Sequence, residues 1–483
     1  MSLTMADVWS ALCPSVPPAE MAQVAISHVV IDSRQAQPGD LFVALRGERT
    51  DGHAYVGDAL AAGAIGALMD HVPSSVAGAS VVDTDTGRWQ VGSHERTPTL
   101  FLTSDTLGAL QRLAQAWRAR HPARAIGVTG SVGKTSTKEM IAAVLARRYQ
   151  VLKSVGNYNN EIGLPLTLLE LEPRHERLVL EMGMYALGEI AHLCALSRPE
   201  VGVVTNVGPT HLERLGTIAR IAQAKAELVQ ALPPAPTGVA VLNYDDPLVR
   251  AMAQQTAARV VFYGLTPGCD LWADGVESEG LRGIRCRLHE GEEMLHVKAP
   301  LLGRHSVHTI LCAAAVGRIE GLGWDEIVAG LQDVSAQLRL VTVTGLRGAT
   351  LIDDTYNASP VSMVAALNLL ADLTPGEGGR RVAVLGDMLE LGDYEEEGHV
   401  LVGRRAADVV HKLVTVGRRA RRIGEEARAV GMAAGDVAIV EDNEAAIAIL
   451  RDLIDRNDLV LIKGSRGQQM EQIVAALAQR SNG

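Results

Sequence analysis

The glycine-rich segment GVTGSVGKTS, residues 127–136, carries the residue types that bind phosphate groups. Its pattern, GxxGxxGKT, is a variant of the usual GxxxxGK phosphate loop, because Val128 stands where the first glycine is expected. An apolar strand candidate, RAIGVTG, precedes the loop, and the helical pattern STKEMIAAVLARRY follows it. This setting favours a phosphate loop over a glycine-rich turn with an incidental lysine.

Each part of the loop has a predicted task in binding ATP. Backbone amides and the helix N-terminus would face the oligophosphate, while Lys134 would reach the β- and γ-phosphates. Thr135 would hold a magnesium ion through its hydroxyl. The predicted ATP-binding residues of the loop are Gly130, Ser131, Val132, Gly133, Lys134, Thr135 and Ser136.

Three further residues that could complete such a site follow at successive segment ends. Glu181 ends the apolar strand candidate RLVLE, where phosphate-loop enzymes place a magnesium-binding carboxylate. His211 lies in the loop after the apolar run VGVV, and Lys225 lies in the helical pattern IARIAQAKAELVQAL. Each residue alone has an ordinary structural interpretation, as a solvated strand end, a loop histidine or a lysine whose head reaches water. Their succession beyond a phosphate loop favours a catalytic interpretation.

Lys225 is the most unusual of the three residues. Its neighbours at helical spacing are Ile218, Ile221, Ala222 and Leu228, so we expect it on or beside a buried stripe. A lysine in that position should either extend outward to water or be chemically modified.

The order of predicted strands and helices indicates an α/β protein of three domains. Short apolar runs alternate with turns up to about residue 102, and strand and helix patterns then alternate as in a parallel sheet wrapped by helices. The alternation restarts at ATLIDDTYN and continues to DLVLIKGSRG. We therefore expect a small N-terminal α/β domain at 1–103, a central phosphate-loop domain at 104–334 and a C-terminal Rossmann-like domain at 335–483.

Composition narrows the classes of function. The chain has 483 residues and a formal net charge of -11, which argues against broad binding of nucleic acid. Its five cysteines are scattered without a CxxC pair, as in a reduced cytoplasmic protein. No long apolar run predicts a membrane span, the N-terminus lacks a leader pattern, and nothing requires more than a monomer.

Taken together, these motifs closely resemble the ATP-dependent Mur ligases of bacterial cell-wall synthesis. The variant loop, Glu181 in EMG, His211 in NVGPTHLERLG and Lys225 in AKAEL fall in the order of that family. Further matching segments are DSR, PGDLFVAL, DGH, GNYNNEIGLPLTLL, GRHSVHTILCAA, DDTYNASPVSM, LGDMLELG and KGSRGQQME. The resemblance covers nearly the whole chain.

The resemblance implies two binding regions for the substrate. The first domain would bind the uridine diphosphate end of a UDP-linked substrate, and a central segment would line the substrate channel. The last domain would close over ATP and the incoming dipeptide. The implied substrate-binding residues are Ser33, Arg34, Asp40, Phe42, Asp51, Gly52, His53, Asn157, Asn159, Asn160, Tyr356, Lys463, Ser465 and Arg466.

The resemblance also implies the remaining nucleotide and catalytic residues. Thr309, Arg339, Asp354 and Asn357 would contribute to ATP binding, and Arg304 and His305 would assist near the transferring group. Two magnesium ions are implied, one on Thr135 and Glu181 and one on His211 and a carbamylated Lys225. The chain departs from the family at Ser306 and Thr309, where asparagines are common.

Within the family, DDTYNASPVSM and GDMLELG resemble the ADP-forming peptide ligase that joins D-alanyl-D-alanine to UDP-N-acetylmuramoyl-tripeptide through an acyl phosphate. The sibling that adds the third amino acid carries a DNPR-type motif, which is missing from this chain. A ligase that adds a single amino acid, a folylpolyglutamate synthetase-like ligase and a nucleotide-binding regulator without catalysis remain as alternatives.

Overall fold

The computed structural model describes residues 3–333 and 341–479, apart from 48–49, 74–75, 77 and 93–96. In these residues the strands form three sheets with helices between them, which confirms the predicted α/β class. The chain divides into two compact units, the first formed by Met1–Gly127, Tyr149–Gly183 and Ala191–Pro199 and the second by the remainder. The three domain boundaries expected from the sequence stay a prediction.

The N-terminal part of the first unit is a sheet of short strands. Its elements are α1 (Met5–Leu12), β1 (Val29–Val30), β2 (Leu41–Val43), α2 (Val56–Ala61), β3 (Gly66–Met69), β4 (Ser80–Asp83), β5 (Arg88–Gln90) and β6 (Thr99–Leu102). The strand order is β1-β2-β3-β6-β4-β5, and only β4 and β5 pair antiparallel. Thr4 and Asp7 form a capping box that starts α1.

The middle of the chain alternates strands and helices, then forms a β-meander, and ends in two helices. Its elements are α3 (Thr106–Ala119), β7 (Arg124–Thr129), α4 (Lys134–Leu145), β8 (Val151–Lys153), α5 (Gly163–Leu169), β9 (Arg177–Glu181), α6 (Glu189–Ser197), β10 (Val201–Val204), α7 (Leu212–Leu215), α8 (Ile218–Gln230), β11 (Val239–Asn243), α9 (Pro247–Ala251), β12 (Arg259–Gly264), β13 (Leu271–Ser278), β14 (Ile284–Glu290), β15 (Glu293–Ala299), α10 (Val307–Ile319) and α11 (Trp324–Leu331).

These strands pair mainly in parallel, as the alternating pattern predicts. In the second unit β10, β11, β12 and β13 are parallel neighbours in that order. In the first unit β8 and β9 are a parallel pair. The antiparallel pairs β13–β14 and β14–β15 were not predicted, although their alternating apolar and polar residues are typical of strands with one exposed face.

The C-terminal part of the second unit is an open, mostly parallel sheet. Its elements are β16 (Val341–Thr344), β17 (Thr350–Asp353), α12 (Pro360–Asp372), β18 (Arg381–Gly386), α13 (Glu395–Val409), β19 (Lys412–Val416), α14 (Arg421–Ala429), β20 (Val437–Val440), α15 (Asn443–Leu453), β21 (Leu459–Lys463) and α16 (Glu471–Leu477). The strand order is β16-β17-β21-β18-β19-β20.

This sheet places three sequence motifs at one edge. The strands β17, β21 and β18 are adjacent and parallel, so their carboxyl ends meet. The loops that follow them begin at Asp354, Gly464 and Asp387 and carry the motifs DDTYN, KGSRG and GDMLELG. Ligands bind at this edge in open parallel sheets, so the fold brings the motifs where a site is expected.

No helix within the described ranges is both long enough and apolar enough to cross a lipid bilayer.

Candidate active site

The phosphate loop joins β7 to α4, as the sequence predicts. Gly130 and Gly133 take φ angles of +152° and +84°, and Gly133 is the N-cap residue of α4. A Cβ atom at Gly130 would collide with the hydroxyl of Thr205. A glycine is therefore required at position 130 because Thr205 approaches closely, and at position 133 because the backbone is left-handed.

The loop is held by the segment 205–210, which follows β10. The Asn206 side chain accepts a hydrogen bond from Val132 N at 2.9 Å and donates one to Val132 O at 2.8 Å. Ser131 N donates to the main-chain oxygen of Asn206 at 2.9 Å. Because the amides of Ser131 and Val132 are used in this way, they are not available as donors to a phosphate.

Ser131 adds a second set of contacts between the loop and the same segment. Its hydroxyl donates to Gly208 O at 3.0 Å and accepts from Gly208 N at 2.9 Å. The Thr210 hydroxyl lies 3.2 Å from it. The side chain of Ser131 thus fixes the loop and is not a free donor to a nucleotide, although its position in the loop was predicted correctly.

Lys134, the first residue of α4, turns back over the loop. Its Nζ atom donates to Gly130 O at 2.8 Å and lies 3.3 Å from Ser131 O. Thr135 follows it and is buried. The positive charge predicted to reach the terminal phosphates is therefore at the loop itself.

A cavity in the second unit unites the loop with segments far away in the sequence. Its polar lining is contributed by the loop, by the segment that leads into α10, and by the carboxyl edge of the C-terminal sheet. The lining residues that the sequence analysis had assigned are Ser131, Val132, Gly133, Ser136, His305, Thr309, Asp354, Tyr356, Asn357 and Lys463. Thus most of the predicted nucleotide residues share one cavity, which Tyr356 and Lys463, assigned to the substrate, also line.

Lys463 forms a buried ion pair in the wall of this cavity. Its Nζ atom lies 2.7 Å from the Asp354 carboxylate and donates to Asn357 O at 2.8 Å. Lys463 ends β21 and Asp354 follows β17, so neighbouring parallel strands supply the two charges. The pair holds the DDTYN loop and leaves the wall close to electrically neutral.

The other predicted residues of the KGSRG motif lie beside this wall. The Ser465 hydroxyl is buried, accepts from Leu389 N at 2.9 Å and lies 3.5 Å from Ala358 O. Arg466 is exposed and pairs with Glu471 at 3.3 Å. Ser465 therefore joins the three motif loops, and Arg466 is the member that solvent reaches.

Arg304 and His305 begin the turn before α10. Arg304 is exposed, with Nε 3.5 Å from the Asp372 carboxylate. At His305, desolvation and the charges of His308 and Lys463 lower the pKa to about 4. The His305 ring is therefore neutral at physiological pH, so one of its nitrogens donates a hydrogen bond and the other accepts one.

The two departures from the family pattern have different consequences. The Ser306 hydroxyl donates to Leu302 O at 2.7 Å, so it is used within its own turn. Thr309 lines the cavity and keeps a hydroxyl there. Arg339, also predicted to bind ATP, lies outside the described residues.

Lys225 is buried within α8, as its apolar neighbours predict. Ile221 and Leu228 are fully buried beside it, whereas Ile218, the first residue of the helix, is 42% exposed because it projects from the helix end. Burial, together with the charge of Lys134, lowers the pKa of Lys225 far below its ordinary value. Within the described residues, its ammonium has no hydrogen-bond partner.

His211 lies at the start of α7 in a left-handed conformation, with φ of 58°. Its Nδ1 atom is 2.6 Å from Oε2 of Glu390, which belongs to the GDMLELG loop after β18. The edge of the ring faces Tyr185, with centroids 5.0 Å apart. The sequence analysis quoted the GDMLELG motif but did not identify Glu390 as a partner of His211.

Glu181 ends β9 in the first unit and is buried. Its carboxylate accepts a hydrogen bond from the Asn159 side chain at 2.9 Å, and its amide donates to the Ser154 hydroxyl at 3.1 Å. Asn160 accepts from the amides of Ile162 and Gly163 at the start of α5, and Asn157 is exposed. The predicted channel segment thus orients the predicted metal carboxylate.

The predicted residues of the first domain divide into accessible and enclosed members. Ser33 and Arg34 lie in an accessible turn, where Arg34 pairs with Asp32 at 2.6 Å. Asp40 is buried and accepts from His28 N and Gln37 N. Phe42 belongs to the hydrophobic core of this sheet. Asp40 and Phe42 therefore have structural roles, and their contact with substrate stays a prediction.

The DGH motif forms a fixed turn near the same surface. Asp51 is exposed and lies 2.6 Å from His53 Nδ1, while His53 Nε2 accepts from Asp70 N at 3.0 Å. Gly52 is required because a Cβ would lie 2.9 Å from the main chain of Leu45. His53, Asp70 and His71 lie close enough together to hold a metal ion. Both ring nitrogens of the buried His53, however, already contact protein groups.

Comparison with known proteins shows similarity over nearly the whole chain. The model of the Mur ligase middle domain matches residues 128–317. The model described as the Mur ligase family catalytic domain matches 25–94, and the Mur ligase glutamate ligase domain matches 338–466. The UDP-N-acetylmuramoyl-tripeptide–D-alanyl-D-alanine ligase of Synechocystis sp. is 37% identical, over 94% of this chain and 92% of its own.

Solved structures agree with these matches. MurF from Acinetobacter baumannii superposes with a TM-score of 0.82 at 28% identity and covers 98% of both chains. The MurF ligase from Thermotoga maritima, solved in complex with ADP, has a TM-score of 0.75 at 28% identity and covers 94% of this chain and 97% of its own.

Proposed function

Because the chain belongs to the Mur ligase family, we propose that it joins D-alanyl-D-alanine to UDP-N-acetylmuramoyl-tripeptide and converts ATP to ADP and phosphate. The observation that carries this proposal is the cavity that unites the phosphate loop with His305, Asp354 and Lys463. A ligase of this kind must hold a nucleotide between the loop and a second binding surface. The relatives named for this reaction support the choice of substrates.

The proposed reaction has two steps. The terminal carboxylate of the tripeptide attacks the γ-phosphorus of ATP, the bond to the β-phosphate oxygen breaks, and ADP leaves. The dipeptide amine then attacks the acyl carbon, loses a proton, and the acyl–oxygen bond breaks with release of phosphate. Both steps require that water is kept away from the acyl phosphate.

The residues of the site serve the first step by position and charge. The ammonium of Lys134 lies at the loop carbonyls and would neutralise charge on the transferred phosphoryl group. The first amides of α4 would bind phosphate oxygens. Lys463 and Asp354 form the facing wall, where Asn357 and the neutral ring of His305 offer hydrogen bonds to the nucleotide.

Each of the proposed metal ligands has a chemistry that suits magnesium. The Thr135 hydroxyl and the Glu181 carboxylate are hard oxygen donors, and a carbamylated Lys225 would add a third. The buried amine of Lys225, which has no hydrogen-bond partner in the described ranges, suits carbamylation because only the neutral amine adds carbon dioxide. Two magnesium ions bound here, with His211 as a further ligand, would supply charge neutralisation for phosphoryl transfer.

We propose that the substrates divide among the regions of the chain. The accessible turn with Ser33 and Arg34 and the turn at Asp51 would bind the uridine diphosphate end, and the loops at the C-terminal sheet edge would bind the dipeptide. The five cysteines are free, which suits the proposed action in the reducing cytoplasm. The alternatives that add a single amino acid differ in the nucleophile, so the incoming amine is the group that an experiment must vary.

An oxygen-transfer experiment tests the reaction class. The tripeptide carboxylate is labelled with 18O and ligated to D-alanyl-D-alanine in the presence of ATP and Mg2+. The acyl-phosphate route predicts that each released phosphate carries one labelled oxygen and that ADP is the nucleotide product. Unlabelled phosphate, or formation of AMP, would contradict it.

A further inference from the structure

The pairing of His211 with Glu390 defines which nitrogen of the imidazole carries a proton. Nδ1 lies 2.6 Å from Oε2 of Glu390, and an ionised carboxylate can only accept a hydrogen bond. The proton is therefore on Nδ1, and in the neutral ring Nε2 keeps its electron pair. A metal ion binds that electron pair, so the hydrogen bond leaves one nitrogen available for coordination.

The pairing is built on main-chain contacts and not only on two side chains. Glu213 N donates to Glu390 O at 3.2 Å. A Cβ at Gly392 would lie 3.2 Å from the backbone of Glu213, so the two segments approach closely. This contact joins α7 to the loop after β18 within the second unit.

Both paired residues adopt left-handed backbone conformations, which residues other than glycine seldom adopt. His211 has φ of 58° and Glu390 has φ of 65°. Such left-handed conformations cost free energy and persist where the surroundings determine them, frequently at functional sites. Two of them facing each other across a short hydrogen bond indicate an arrangement that the fold maintains.

An aromatic ring and a guanidinium group lie beside the pair. The Tyr185 ring faces His211 edge-on at 5.0 Å, and the Arg214 guanidinium lies 4.7 Å above that ring. A glutamate carboxylate is ordinarily ionised at neutral pH, so Glu390 accepts the hydrogen bond from His211.

We propose that Glu390 is a positioning residue for the metal site: its carboxylate fixes the tautomer and orientation of His211, so that Nε2 is the nitrogen that binds the divalent cation. The inference rests on the proposed function, because it assigns a task within the site expected to hold magnesium. It also connects the GDMLELG loop, which carries Glu390, to metal binding.

Manganese binding tests this proposal without using ligase activity. The full chain, saturated with ADP, is titrated with Mn2+, and free Mn2+ is measured by electron paramagnetic resonance. Glu390→Met removes the acceptor at similar size and should weaken Mn2+ binding about 10- to 100-fold, the usual effect of removing a partner of a metal-binding histidine. Glu390→Gln should lose less, because its amide oxygen still accepts from Nδ1.

Glu396→Gln is the matched control. Glu396 pairs with Arg422 at 2.6 Å in the same C-terminal region and has no contact with His211 in the described structure. This variant should bind Mn2+ as the wild-type chain does. Thermal unfolding of all variants shows whether each is folded. If Glu390→Met does not fold, Glu390→Gln keeps the test decisive. A loss of Mn2+ affinity in Glu390→Gln as large as that in His211→Ala would contradict positioning by hydrogen bonding.

A double-mutant cycle separates positioning from a general effect. In a His211→Ala background, Glu390→Met should change Mn2+ affinity by no more than about twofold, since its effect acts through the imidazole. An equal loss in both backgrounds, or an affinity unchanged by Glu390→Met alone, would overturn the proposal. A chain that shows the predicted cycle but ligates no dipeptide would contradict the proposed function and leave this inference standing.

Discussion

The ammonium of Lys134 lies 2.8 Å from the main-chain oxygen of Gly130, within the loop that Lys134 itself completes. A second loop carbonyl, that of Ser131, lies 3.3 Å from the same atom. The loop is fixed in turn by Asn206 and Thr205, which bond to Val132. The cation is thus placed at the phosphate loop by hydrogen bonds that the fold supplies, as electrostatic catalysis requires.

Replacing Lys134 by methionine should abolish turnover and leave the chain folded. The change removes the charge that would stabilise the transferred phosphoryl group, and we expect kcat to fall at least about 10²- to 10³-fold. Release of ADP measures activity, and circular dichroism on heating measures folding. A variant with nearly normal ADP release would remove Lys134 from the mechanism.

The sequence predicted those parts of the site that depend on neighbouring residues. The loop, the strand before it, the helix after it and the burial of Lys225 all follow from local patterns. Asn206 and Glu390 were missed because their partners lie 74 and 179 residues away, and no local pattern reports such pairs. For Asp40, the family resemblance implied a substrate contact, which stays a prediction, and the structure shows its carboxylate accepting hydrogen bonds from two main-chain amides.

Replacing Lys225 by alanine should nearly abolish activity, and small carboxylates should restore part of it. The reason is that a carbamate supplies an anionic oxygen, which formate or acetate can imitate in the space left by the side chain. ADP release is measured with and without each salt at constant ionic strength. Rescue by amines, or full activity of the variant, would show that Lys225 has another role.

Lys225 should also make stability depend on pH in a recognisable direction. Its pKa is lowered far below its ordinary value in the folded chain by burial and Lys134, while the unfolded value is about 10.4. Between these two values the unfolded chain binds the additional proton, so the free energy of unfolding rises with pH, by at most about 1.4 kcal/mol per pH unit.

A comparison with Lys225→Met isolates this effect in buffer free of carbon dioxide and divalent metal. The variant should be more stable than the wild-type chain at pH 7, and its advantage should shrink as the pH approaches 10. Unfolding by urea at several pH values provides the measurement. A difference that stays constant over this range would mean that Lys225 titrates normally.

Ser33→Ala and Arg34→Ala should weaken binding of the UDP-linked substrate and leave ATP binding unchanged. Both residues lie in an accessible turn of the first unit, whereas the cavity proposed to bind ATP is lined by the second unit. The expected result is a raised KM for UDP-N-acetylmuramoyl-tripeptide with an unaltered KM for ATP. Arg88→Ala, an exposed change on β5 in the same sheet, serves as the control. Equal KM values for all variants would place the uridine diphosphate elsewhere.

Product formation with different amines tests the central claim most directly. The chain is incubated with ATP, Mg2+ and UDP-N-acetylmuramoyl-tripeptide, and with D-alanyl-D-alanine, D-alanine or meso-diaminopimelate as the nucleophile, and the products are identified by mass spectrometry. A parallel reaction supplies meso-diaminopimelate with UDP-N-acetylmuramoyl-dipeptide. The account predicts the pentapeptide product from D-alanyl-D-alanine, with one ADP formed for each bond, and little product from the other amines. Efficient addition of meso-diaminopimelate to the dipeptide substrate, without use of D-alanyl-D-alanine, would contradict it.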